Sequence, residues 1–73
     1  MTDLKPKDRE IIEKLSQGMS FKQVSTEINL PVKTIEHRIL KIRKKENCLN
    51  TAHLINKFTI SVIFTKLQGS LNR

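Results

Sequence analysis

The chain has 73 residues, enough for one domain with a modest core and too few for an enclosed active-site cavity. Its single cysteine, Cys48, excludes an internal disulfide and a thiolate zinc cluster, and His37 and His53 are too far apart for a paired-histidine metal site. Fourteen Lys and Arg against seven Asp and Glu leave a net charge of +7, which favours a polyanionic partner.

The opening MTDLKPKDRE has neither the apolar core nor the cleavage site of a signal peptide. No apolar run further on reaches the roughly 18 residues of a membrane span. A cytoplasmic location is expected. The first helix is predicted from about Pro6 to Gln17. Pro6 suits the first helical position, where an N–H would be unpaired anyway. Asp8 and Glu10 complement the positive end of the helix dipole. Ile11, Ile12 and Leu15 share one apolar face, which Leu4 and Met19 extend. Gly18 marks the stop, since a left-handed conformation costs glycine nothing.

Ser20-Phe21-Lys22-Gln23 reads as a capping box at the start of a second helix, with Phe21, Val24 and Ile28 as its buried side. Ser25 is small enough to let another helix approach. Asn29-Leu30-Pro31 ends this helix, because Pro31 biases Leu30 away from helical angles. A third helix is predicted from about Val32 to Glu46. Its apolar stripe is narrow: Ile35, Ile39 and Ile42, at i, i+4 and i+7. Leu40 lies about 140° away around the helix at 3.6 residues per turn, so core packing does not account for it. Gly18 to Lys45 is therefore a short helix, a tight turn and a second, basic helix, the pattern of a helix-turn-helix.

Asn47-Cys48-Leu49-Asn50 forms a connection, with Asn50 as cap of a fourth helix from Thr51 to about Leu67. One face of this helix holds Leu54, Ile55, Phe58 and Val62. A nearly opposite face holds Ile60, Ile63, Phe64 and Leu67. The first can pack on the other helices. The second has nothing left to cover it in so short a chain, which points to a homodimer. Residues 59–65 are rich in β-branched side chains, but a strand there would lack a partner, so helix is preferred. Residues 68–73 are read as a frayed, disordered tail, and the domain as 1–67.

Charge is segregated along the chain. Five cations and five acids cancel over residues 1–30, whereas residues 31–47 carry a net +4 and residues 48–73 a net +3. The excess sits on the third helix and beyond, where a duplex backbone would meet it.

Five fragments in order carry a family resemblance: Leu4-x-Pro6-Lys7-Asp8-Arg9-Glu10-Ile11-Ile12; Gln17-Gly18-Met19-Ser20-x-Lys22-Gln23-Val24; Lys33-Thr34-Ile35-Glu36; Ile42-x-x-Lys45; and Thr51-Ala52-His53-Leu54-Ile55. Together they resemble the LuxR-type (GerE-like) helix-turn-helix domain of bacterial transcriptional regulators, over about residues 4–67. The resemblance implies an all-α fold of four helices, a winged-helix-like three-helix core plus a C-terminal dimerisation helix. It implies binding of regulatory DNA without catalysis. Lys5 stands where the family often has threonine, and Pro31 where it often has serine, so each following helix lacks a side-chain cap. The family's histidine in the third helix falls where this chain has Arg38, so His37 is not its equivalent.

The resemblance makes Lys22 and Thr34 phosphate contacts and places Lys33, Glu36, His37 and Leu40 toward the groove. The phosphate set expected is Lys22, Lys33, Thr34, Lys41, Arg43 and Lys44. The base-reading set is Glu36, His37 and Leu40, since glutamate can accept from cytosine, imidazole can meet purine edges and leucine can touch a thymine methyl. Arg38 either joins the phosphate set or pairs with Glu10 or Glu13, pairing being preferred. No catalytic residue, metal or cofactor is expected, nor a small-molecule ligand.

The partners expected are double-stranded DNA, read as an inverted repeat, a second copy through the fourth helix and, as a further candidate, RNA polymerase. The protein would then be either a freestanding regulator or a piece of a larger one. The competing reading is a small basic helical interaction module that binds an acidic protein or RNA.

Overall fold

The structure, a computed structural model, describes residues 4–71, with side chains over 4–64, and these form four helices and no strand. They are α1 (Pro6–Ser16), α2 (Phe21–Ile28), α3 (Val32–Lys45) and α4 (Thr51–Leu71). No helix among the described residues is long and apolar enough to cross a membrane.

Each helix boundary has a local cause. Pro6 opens α1, and Lys5 before it supplies no side-chain cap. Gly18 follows the end of α1 at φ 93°, a value that L side chains rarely adopt. At α2 the Gln23 N–H donates to Ser20 Oγ at 3.1 Å, and the Ser20 N–H donates to Gln23 Oε1 at 2.8 Å. The capping box is thus closed in both directions. At α4 the His53 N–H donates to Asn50 Oδ1 at 2.8 Å, the cap expected of Asn50.

The core is a single apolar cluster. Ile11, Ile12 and Leu15 of α1 meet Val24 of α2, Ile35, Ile39 and Ile42 of α3, and Leu54 and Phe58 of α4. No polar or charged side chain among the described residues is buried with them. Arg9 lies over the Phe58 ring at 5.6 Å from its centroid, so the cation covers the outer side of the α1–α4 contact. Phe21 and Ile28, expected to be buried, are only half-buried at the margin of the cluster, and Val24 alone brings α2 fully into it.

Two expectations for the C-terminal part are corrected or resolved. The fourth helix continues to Leu71, four residues beyond the expected end at Leu67, so residues 68–71 extend it, and 72 and 73 of the expected tail lie outside the described residues. One glycine costs a helix about 1 kcal/mol, too little for Gly69 to end it alone. Residues 59–65 are helical throughout. Their β-branched content is a context-dependent preference, and no neighbouring strand is present among the described residues to satisfy it.

Candidate nucleic-acid interface

The turn between α2 and α3 has three residues, and each is fixed. Asn29 adopts the left-handed conformation (φ 58°, ψ 46°) that ends α2. The Leu30 N–H then donates back to the Ser25 carbonyl at 3.2 Å. The Ser25 hydroxyl donates to the Leu30 carbonyl, tying the turn to the helix it leaves. Pro31 is the N-cap of α3 and has no side chain to cap it; its carbonyl accepts from the Thr34 N–H at 3.0 Å and the Ile35 N–H at 3.2 Å.

This turn delivers α3 with two opposed sides. Ile35, Ile39 and Ile42 are buried. Lys33, His37, Leu40 and Lys44 follow at i, i+4, i+7 and i+11 on the opposite side, and all four are exposed. Leu40 is 40 % exposed, an apolar side chain placed outward in a polar row. Glu36 flanks the row on one side. Lys41 flanks it on the other, the side of the half-buried Thr34.

Ion pairing sharpens the charge pattern. Arg38 Nη1 donates to Asp8 Oδ1 at 2.9 Å, Arg9 pairs with Glu13 at 3.2 Å, Lys57 with Glu46 at 3.4 Å, Lys7 with Glu10 at 3.5 Å and Lys14 with Glu27 at 3.7 Å. Among the described residues, Lys5, Lys22, Lys33, Lys41 and Lys44 have no carboxylate partner, and neither does Glu36 a cation. These five lysines lie on α2, on α3 and just before α1.

Both arginines of α3 make contacts within the domain. Arg38 makes a structural pair as preferred, but with Asp8, while Glu10 and Glu13 are taken by neighbours on their own helix. Arg43 does not extend outward with the phosphate set. Its Nη2 donates to the Leu49 carbonyl at 2.7 Å, and its Nε is buried with no partner. The guanidinium braces the α3–α4 connection, because position 43 lies on the edge of α3 nearer the buried stripe than Lys44 does.

Comparison with known family patterns, curated proteins and solved structures gave no match. The reading of this site therefore rests on its own geometry.

On α4, Leu54 and Phe58 are buried, while Ile60, Ile63 and Phe64 are 67 %, 52 % and 59 % exposed. The expected second face is present over these three; the Leu67 side chain lies outside the described residues. Lys5 is not among the expected DNA contacts. It lines an open groove of about 450 Å³ between the start of α1 and α3, together with Thr34, His37 and Lys41. Only a fold that brings Lys5 beside Thr34 reveals it, since periodicity ties neither residue to the other.

Proposed function

We propose that this chain is a sequence-specific DNA-binding domain of the LuxR (GerE-like) helix-turn-helix type, acting in transcription regulation as a homodimer. In this reading α3 enters the major groove. The observation that carries it is the row Lys33, His37, Leu40 and Lys44, exposed directly opposite the buried Ile35, Ile39 and Ile42. A helix with one buried stripe and one cationic outward row, held by a three-residue turn, can lay its outer side along base edges.

Phosphate contacts would fix position and supply salt-sensitive affinity, while base contacts would supply sequence information. Lys22, Lys33, Lys41 and Lys44 are the charged members of the phosphate set, with Thr34 as a neutral donor. Glu36, His37 and Leu40 are the readers. An unpaired Glu36 among lysines repels phosphate, which weakens binding at wrong sites and makes a cytosine amino group its natural partner. The exposed face of α4 around Ile60, Ile63 and Phe64 would join two copies, so that two recognition helices read half-sites about one helical turn apart.

The test is titration of labelled duplex DNA at several salt concentrations. Four charged contacts predict a log–log slope of about −3.6 per bound subunit. A flat salt response, or no duplex binding at 50 mM salt alongside binding to an acidic protein or to RNA, would overturn this reading in favour of a general basic interaction module.

A further inference from the structure

We propose that the groove between the start of α1 and α3 seats one phosphodiester strand of the duplex, with Lys5 as an additional phosphate-binding residue. The inference rests on the DNA-binding reading above and adds to it a contact from the residue that precedes α1. The groove is lined by Lys5, Thr34, His37, Lys41 and Lys45, and its wall also holds the Arg38–Asp8 pair. Among the described residues Asp8 is the sole acid in that lining, and Arg38 pairs with it at 2.9 Å. Lys5 and Lys41 have no carboxylate partner among the described residues, so the described lining carries an excess of positive charge.

Position decides what anion this field meets. His37 belongs both to the groove lining and to the outward row of α3, so the groove opens directly onto the proposed reading side. A major groove about 12 Å wide leaves a helix about 10–12 Å across bordered by both backbones. On this flank of α3, Thr34 and Lys41 stand seven residues apart, about 10 Å along its axis at 1.5 Å per residue. Lys5 adds a cation to the same flank from the residue just before α1. Lys7, two residues later on α1, is a built-in contrast: it lies outside this groove and pairs with Glu10 at 3.5 Å.

The experiment compares the full chain with K5Q, K5R and K7Q, using a labelled 20-base-pair duplex of mixed sequence between 50 and 300 mM salt, with circular dichroism to confirm equal helicity. Losing one phosphate contact makes the log–log slope shallower by about 0.9 per bound subunit. Extrapolated from a common 1 M limit, that is a loss of about 15-fold in affinity at 50 mM. K5Q is expected to show this, K5R to bind like the parent, and K7Q to keep the parent slope. A K5Q slope equal to the parent's overturns the groove while leaving the DNA reading standing. Equal flattening by K5Q and K7Q overturns it too, because net charge alone then accounts for the effect. A parent that does not bind duplex at 50 mM overturns both.

Discussion

Arg38 on α3 donates to Asp8 on α1 at 2.9 Å, joining residues thirty apart in the chain across the margin of the core. The Asp8 side chain is only 16 % exposed, so this pair differs from Lys7–Glu10 and Arg9–Glu13, the pairs within α1, which lie on its open surface. Removing the arginine leaves a half-buried carboxylate without its donor, an asymmetry that costs more than the pair itself is worth. Arg38→Met should lower stability by about 1–2 kcal/mol, a fall of roughly 4–8 °C in thermal midpoint for each kcal/mol in a domain of this size. The double variant with Asp8→Asn should recover part of that loss. An unchanged R38M melting curve would show that the pair holds nothing.

Ile39 and Leu40 are adjacent on α3 but face opposite environments, 2 % and 40 % exposed. Ile39→Ala should cost about 2–5 kcal/mol through the cavity it leaves. Leu40→Ala should leave the thermal midpoint nearly untouched, within about 0.5 kcal/mol, yet change which duplexes are preferred in a selection from random sequences. The two results together separate holding the fold from reading DNA; identical site preferences for Leu40→Ala and its parent would remove Leu40 from the readers.

Ile60, Ile63 and Phe64 form an exposed apolar face on α4, and a charge placed in its middle should abolish a dimer without touching the core. The parent is expected to sediment as a dimer and Phe64→Glu as a folded monomer. Two identical sedimentation profiles would mean that this face is not the contact between copies.

Gly18 combines a φ of 93° with open space where a Cβ would stand. Gly18→Ala therefore meets no clash, and its cost is backbone strain alone, about 1–2 kcal/mol. Ser20→Ala, two residues on, should cost about 1 kcal/mol by opening the capping box. Chemical denaturation of both variants checks these values, and a Gly18→Ala variant as stable as the parent would show that the chain reroutes this turn freely.

The elements that repeat at short range were legible in the residues themselves. Ile35, Ile39 and Ile42 announce the buried side of α3 by spacing, Ser20 and Gln23 announce the start of α2, and Gly18 and Pro31 bracket the helices around them. What the residues did not disclose depends on reach between helices. Arg38 meets Asp8 rather than Glu10 or Glu13 because of how α1 crosses α3, and spacing within one helix carries no record of that crossing. Arg43 looks like one more cation in a basic run until the connection after α3 folds back and offers the Leu49 carbonyl. Lys5 sits in front of a proline, and only tertiary packing sets it beside Thr34 and Lys41.

Among the described residues the core contains apolar side chains alone, whereas the proposed phosphate contacts, Thr34 apart, are made by lysine. The two sets answer to different variables. Apolar burial is indifferent to moderate salt, while phosphate neutralisation weakens steeply with it. Ionic strength should therefore detach this protein from a duplex while leaving it folded, so that release and refolding are never confused. A rise in salt would act on the molecule as a clean, reversible off-control for occupancy, with the four helices unchanged on either side of it.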